Sequence, residues 1–370
     1  MTWLLTLWAL VAAAFTGVTL YRLKARRRAV ERGPRPAPPL RRWPHVLLLR
    51  PVDAPTPKEL ENLAVPVDYP GALTHVVLSP FRPRLASANV EWLASDPLSR
   101  NRKVGHLVYA LAALPRADDA VVLCVDADVR VDGALVAALV AALREGAALA
   151  WAAPRPEASE TLAGRTVRGL LVQTHHSFEA LDVMSAGARA VCGKAMALSR
   201  EAQAELLELA DCIGEDLELA SVLHERGLPV VLARAPAHLP QAPKVSLHSV
   251  LARFTRWMQV LRAHRPALFP SVPLLFAPTP VLMVLASWLA VPHLAVALCV
   301  LVGVRIALAN HLDGRPGQRF EWLLAELLLL CAWLEALRRG RVVTWRGRSF
   351  ALEKGGRMVA RSAPVEGGAR

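Results

Sequence analysis

The chain has 370 residues, 54% of them apolar and 20% charged, with a formal net charge of +13. It is too apolar for an ordinary soluble enzyme and too charged for a protein made of membrane helices alone, so a soluble domain flanked by membrane segments fits. Basic runs at 22–28, 338–341 and 346–348 adjoin apolar stretches, which suits anionic headgroups; no nucleic-acid motif accompanies them, and no nucleic-acid partner is expected.

The first predicted element is an apolar helix over Trp3–Tyr21. At ~1.5 Å per residue it is long enough for a ~30 Å hydrocarbon core. No basic region precedes it and basic residues follow it, so it reads as a signal anchor (1–22) that leaves the following chain in the cytosol. A basic, proline-rich linker is expected over 23–44.

From His45 the pattern changes to short apolar runs alternating with helical stretches. Strands are expected at His45–Arg50, Leu73–Ser79, Ala120–Val125, Ala147–Ala153, Ala190–Leu198 and Pro229–Ala233. Helices are expected at Pro57–Ala64, Lys103–Leu114, Gly133–Arg144, Gln203–Ala210 and Asp216–Arg226. This alternation implies an α/β domain with a mainly parallel sheet over 45–242. Cys124, Cys192, Cys212, Cys299 and Cys331 lack disulfide or metal-knuckle spacing and read as buried small residues.

After Pro243 an amphipathic helix is expected over 243–267, lying in the membrane interface. Val250, Leu251, Phe254, Trp257, Met258 and Leu261 recur at helical steps, with Arg253, Arg256, Arg262 and Arg265 between them. C-terminal membrane segments then fill 268–337: Leu268–Val291, Pro292–Ala309 and Phe320–Leu337. If all three cross, the basic cytosolic tail expected at 338–370 ends up outside, so one is expected not to cross fully. The first carries Pro270, Pro273, Pro278 and Pro280 and is expected to start as a broken or re-entrant helix; Glu321, Glu326 and Glu335 of the third are costly in lipid, so they are expected to face protein or water, or that segment to lie flat.

Three motifs carry chemistry. Asp126 and Asp128, in VDADV, follow an apolar strand at the sheet edge where open α/β sheets bind ligands. Such a pair suits a divalent cation on a diphosphate, although a polar loop is the plainer reading. Glu215 and Asp216, in CIGEDLELA, open a helix; they serve either the helix dipole or, for Asp216, general-base chemistry. Arg253, Arg256 and Trp257, in RFTRW, offer guanidinium forks for phosphate and an indole for an interface or a sugar ring.

Each motif is weak alone, but their order and spacing resemble the D,D,D,(Q/R)xxRW pattern of inverting family 2 and family 21 glycosyltransferases. PVDAPTPKELENL, NRKVGHL, THH, AVCGKAMALSR, GEDLELASVLHERG, RFTRWMQVLR and TWRGRSFAL further resemble ceramide glucosyltransferases and the related bacterial hopanoid-linked enzymes. The likeness runs from about Leu47 to Gly356. It implies a GT-A-type (Rossmann-like) domain on the cytosolic side of a multi-pass protein of a bacterial inner membrane. It implies inverting transfer of a hexose from a UDP-sugar, UDP-glucose or similar, to the hydroxyl of a lipid acceptor such as ceramide, with Mg²⁺ or Mn²⁺ as cofactor.

The resemblance assigns roles as well. Asp126 and Asp128 would hold the metal and Asp216 would be the base. Arg253, Arg256 and Trp257 would close over diphosphate and acceptor. Lys103 would lie near the nucleotide, His176 near the acceptor, and Cys192 and Gly193 under it. One departure stands out. The family's first aspartate, which follows the second strand, has no counterpart in SPFRPRL, where Arg82 takes its place; Asp53 is the remaining candidate to reach the nucleobase. A processive polysaccharide synthase and a non-catalytic lipid-binding homologue remain as alternatives. Neither the oligomeric state nor the identity of sugar and lipid follows from the sequence.

Overall fold

The computed structural model describes residues 2–32, 42–85, 87, 89–115, 117, 119–185, 190–241, 245–314, 320–345 and 347–360. Helix α1 (Thr2–Arg32) leads into strand β1 (Val46–Pro51), α2 (Pro57–Ala64), β2 (Leu73–Ser79), β3 (Val90–Ala94), α3 (Arg102–Ala113) and β4 (Val121–Val125). Then come α4 (Gly133–Arg144), β5 (Leu149–Trp151), β6 (Pro154–Pro156), α5 (Leu162–Gln173), α6 (Phe178–Met184), β7 (Ala195–Leu198), α7 (Arg200–Leu207), α8 (Glu215–Glu225), β8 (Val230–Leu232) and β9 (Ala237–Leu239). The remainder is α9 (Leu247–His264), a bent apolar pair ending in α10 (Thr279–Leu289), α11 (Pro292–Asp313), α12 (Glu321–Arg339), β10 (Val342–Trp345), β11 (Arg348–Leu352) and β12 (Met358–Ala360).

Seven strands form one sheet in the order β3-β2-β1-β4-β7-β5-β8. All neighbours pair in parallel except at β7, which is antiparallel to β4 and β5. The expected mainly parallel sheet is therefore present. Its central strands are apolar on both faces because helices cover both. The bounds expected for β2, α2 and α4 match the observed ones. A capping box at Thr56 and Glu59 starts α2, and the Asp132 side chain caps α4.

β3 and α5 were not expected. β3 is a half-exposed edge strand, joined to β2 through residues 80–89 with no helix among the described residues. α5 is buried on nearly every side. Its Arg168 meets Asp313 of α11, and Gln173 reaches both Asp313 and Glu321.

The membrane-directed parts differ from expectation in several ways. α1 continues to Arg32, so residues 23–32 are helix and not linker; Arg26 at its end pairs with Asp182 of α6. Residues 33–41 of the expected linker lie outside the described residues. Among the described residues, α1 and α11 are long and apolar enough to cross a membrane, and Pro266–Phe276 with Thr279–Leu289 forms a pair bent by 47°. α1 and α11 pack on Ala9, Ala12, Ala13 and Ala297, small residues that let helix backbones approach.

α12 is not such a helix. It packs on α5 and α9, with Glu321 and Glu326 buried; Glu326 meets Arg305 of α11 at 3.1 Å. The apolar stripe of α9 is also corrected: Val250, Phe254 and Met258 lie in the main core against α12 and not in the interface. Cys299 and Cys331 are exposed on outward helix faces, whereas Cys124, Cys192 and Cys212 are buried as expected.

The expected tail is folded as far as Ala360, and residues 361–370 lie outside the described residues. β10, β11 and β12 form a separate antiparallel sheet that packs on α9 through Val343, Phe350, Leu352 and Met358. Its far end touches the segment before α8: Ile213 N–H donates to Gly356 O at 2.9 Å, and Met358 N–H to Asp211 O at 2.9 Å.

Candidate active site

The site forms where β1 and β4 end. Arg50, on the otherwise apolar β1, is fully buried. Its Nη2 donates to the carbonyls of Asp126 (3.0 Å), Ala127 (3.3 Å) and Val129 (2.7 Å). One guanidinium thus fixes the turn that carries both aspartates. Sequence reasoning passed over this residue, although a charge inside VLLLRP was the available signal. Burial lowers the Arg50 pKa to about 10, against the pull of Asp128 and Asp126, so it stays charged near neutral pH.

Two lysines meet the aspartates. Lys103 Nζ lies 2.9 Å from Asp126 Oδ1 and 3.0 Å from Glu215 Oε1, and donates to Gly193 O at 2.7 Å. Lys194 Nζ lies 3.0 Å from Asp126 Oδ2 and 2.6 Å from Asp128 Oδ2. Burial disfavours both ammonium charges, yet the surrounding carboxylates outweigh it and raise both pKa values. The same lysines hold Asp126 below the ordinary carboxylate range, although burial opposes them.

Asp128 Oδ1 is buried without a hydrogen-bond partner among the described residues. This oxygen, with a neighbouring carboxylate, fits a hard cation that takes its remaining oxygens from a diphosphate and water. Among the described residues no group of three His, Cys, Asp or Glu side chains forms a metal cage, so a cation here depends on such added ligands.

Asp216 stands across from this cluster, on the first turn of α8. Its Oδ2 accepts the Gly193 N–H at 2.6 Å, and its Oδ1 accepts the Leu217 N–H at 3.0 Å. A Cβ on Gly193 would lie 3.0 Å from Lys103 Nζ and 3.2 Å from Asp216 Oδ2, so a larger residue there would press on both side chains. Burial and the neighbouring Glu215 push the Asp216 pKa up to about 6, with Lys103 and the backbone donors opposing. Glu215 itself is locked by Lys103 and by Asn101, whose Nδ2 donates to Glu215 Oε2 at 3.0 Å. Asp216 is therefore the carboxylate of the pair that can take a proton from a bound hydroxyl.

Asp126, Lys103, Lys194 and Asp216 line one end of a cavity of about 490 Å³. Arg256 and Trp257 of α9 and His176 line it too. Arg256 is half-buried and makes no ion pair among the described residues; burial first, and then Arg253, lowers its pKa. The His176 ring lies 6.2 Å from Trp257 and 6.4 Å from Phe276, and burial lowers its pKa to about 4, which keeps it neutral. The other end of the cavity is apolar, with Phe15 of α1, Phe178, Leu261, Leu275 and Phe276.

Arg253, Asp53 and Arg82 lie apart from this cavity. Arg253 is exposed and does not line it. Asp53 is held at the end of β1 by Arg102 (2.8 Å) and His106 (2.9 Å). Arg82 is exposed on the connection after β2. Gly193 and Cys192 form part of the wall, and burial and Asp216 push the Cys192 thiol well up, so it is no thiolate. Lys194 is a site residue that sequence reasoning left unassigned, and Glu215, read there as a helix-opening carboxylate, pairs with Lys103 in the site.

A family model described as glycosyl transferase family 21 matches residues 88–358, a span that includes every cavity residue named above except Phe15. No match is found among curated protein sequences. Among solved structures, a mannosyltransferase of Pyrobaculum calidifontis, in complex with GDP-Man and Mn²⁺, is similar at 19% identity over 90% of this chain and 99% of that one, with a TM-score of 0.48. A mycobacterial protein is similar at 19% identity over 59% of this chain and 74% of that one, with a TM-score of 0.35.

Proposed function

This chain belongs to glycosyl transferase family 21 and is a glycosyltransferase, and from that premise we propose that it moves a hexose from a UDP-sugar to the hydroxyl of a membrane lipid such as ceramide. The observation that carries this reading is the cavity. Its polar end holds Asp126, Lys103 and Asp216, and its apolar end reaches Phe15 on a helix long enough to cross a membrane. A lipid acceptor needs that combination, because its tails stay in hydrocarbon while its hydroxyl meets the donor.

In this reading Asp126 and Asp128 would hold Mg²⁺ or Mn²⁺, which would supply charge neutralisation for the donor diphosphate and the leaving group. Arg256, half-buried and free of ion pairs among the described residues, binds a phosphate oxygen. Asp216 accepts the proton of the acceptor hydroxyl while that oxygen attacks the anomeric carbon. The bond from carbon to diphosphate breaks on the opposite face, so the product is inverted and nucleoside diphosphate leaves. Neutral His176 and the Trp257 indole line the space between the two ends and orient sugar and acceptor.

The basic end of α1 supports a cytosolic catalytic domain, in what we read as a multi-pass protein of a bacterial inner membrane. Purified protein incubated with a panel of UDP-sugars and lipid extracts, with products read by mass spectrometry, tests the reading. One hexose added to a lipid is the expected product. A polymer would point to a synthase, and no transfer from any sugar would sink the proposal.

A further inference from the structure

The aspartate pair is already bridged by a cation of the chain's own. Of the four carboxylate oxygens on Asp126 and Asp128, Lys103 meets one and Lys194 meets two, which leaves Asp128 Oδ1. The two lysines are not equivalent. Lys103 is tied to Glu215 and Gly193 as well as to Asp126. Among the described residues the Lys194 ammonium meets these two aspartates alone. Its backbone is anchored beside them, since Lys194 O accepts the Asp126 N–H at 2.9 Å. The flexible stem lets the ammonium move while the backbone stays.

We propose that Lys194 is an internal counter-ion that occupies the cation position of Asp126 and Asp128 until donor arrives, and then passes to a phosphate oxygen of the donor. This rests on the metal-assisted donor site proposed above. Two consequences follow from electrostatics. A divalent cation entering the donor-free protein must displace a tethered ammonium whose local concentration is on the order of millimolar or above. Divalent cation and donor diphosphate therefore bind together far better than either binds alone. A phosphate oxygen gives the displaced ammonium a new anionic partner, so Lys194 also supports nucleoside-diphosphate binding when no divalent cation is present.

The test is Mn²⁺ binding to the full-length protein in detergent, followed by electron paramagnetic resonance, for the parent and for Lys194→Met. Lys194→Gln serves if the Met variant does not fold. Without nucleotide, the variant should bind Mn²⁺ on the order of tenfold more tightly than the parent, the scale of one lost charge-assisted contact. In chelator, calorimetry should show UDP binding weakened by a similar factor in the variant. Arg130→Met, which removes a nearby cation that faces Glu157, should change neither quantity. Equal Mn²⁺ affinity in parent and Lys194 variants, or UDP affinity in chelator that ignores the substitution, overturns the proposal and leaves the transferase reading standing. Absence of Mn²⁺ binding to parent and variant alike, with and without UDP, overturns it together with the metal reading.

Discussion

Gly193 donates its backbone N–H to Asp216 Oδ2 across 2.6 Å. That bond joins the antiparallel middle of the sheet to the start of α8, because Gly193 lies just before β7 and Asp216 on the first turn of the helix. It also fixes the orientation of the carboxylate. Burial and Glu215 raise the proton affinity of Asp216, while Gly193 and Leu217 favour its charged form; burial prevails, and the pKa settles at about 6.

The first prediction follows from that balance. Asp216→Asn should cut turnover by roughly 10²–10⁴-fold, the usual share of a general base, and leave UDP affinity nearly unchanged. In the parent, activity should be present above about pH 6 and fall as pH drops through that value, because the base must be ionised. The variant's residual activity should lack this limb. The sign for stability is opposite: a carboxyl whose pKa is raised on folding destabilises the fold once ionised. Thermal unfolding above pH 6 should therefore leave the variant at least as stable as the parent. A loss that falls mainly on UDP affinity would make Asp216 a donor ligand instead.

Arg256 and Arg253 separate the two arginines of RFTRW. Arg256 lines the cavity and Arg253 is exposed outside it. Arg256→Ala should lower kcat/KM by roughly 10- to 100-fold, the cost of about 1.5–3 kcal/mol for a hydrogen bond to a charged group. Arg253→Ala should cost several-fold less. Steady-state kinetics on both, with melting temperatures as a control for folding, checks this; equal losses would refute the distinction.

Arg50 should matter to the aspartate turn without touching substrate. Arg50→Met leaves the carbonyls of Asp126, Ala127 and Val129 without their shared donor. A loss of at least about 2 kcal/mol in unfolding free energy is expected. UDP affinity in Mn²⁺ should weaken as well, while the pH limb near 6 stays in place. A variant as stable as the parent would show that the turn holds itself.

Gly356 tests the contact between the C-terminal sheet and the segment before α8. It has φ of +76°, and a Cβ there would overlap the His264 imidazole and the Ile213 carbonyl. Gly356→Ala should lift this contact and reduce turnover at least about tenfold through Asp216, with UDP affinity retained. Limited proteolysis should find the region from Arg341 to Ala360 newly open. Unchanged turnover would mean that the base needs no such brace.

Much of this architecture is legible in the sequence, and the gaps have physical causes. β2, α2 and α4 carry apolar periodicity and, for the helices, side-chain caps, so their bounds come through. β3 is half exposed and lacks a clear apolar face, and α5 places an arginine in the core because its partner Asp313 lies far along the chain. Periodicity also marks the apolar stripe of α9, but lipid and protein core are equally apolar, so it does not reveal that Val250 and Phe254 face the core while Met258 also lines the cavity. Asp126, Asp128 and Asp216 are visible through their motifs. Arg50 and Lys194 are not, nor is the pairing of Glu215 with Lys103, since each role comes from a partner distant in sequence or from burial.

The order of elements has a further consequence for how the enzyme matures. The segment that carries Asp216 is made before α10 and α11, and the sheet that braces it, β10 to β12, is made after them. During synthesis the base therefore waits for its support until the membrane-directed helices have left the ribosome. A nascent chain halted between α8 and α11 holds the aspartate pair, the lysines and the base, yet lacks the contact of Gly356 and Met358 with residues 211–213. Should the Gly356 substitution show that the base needs this contact, competence for transfer would arise only after α10 and α11 have been made.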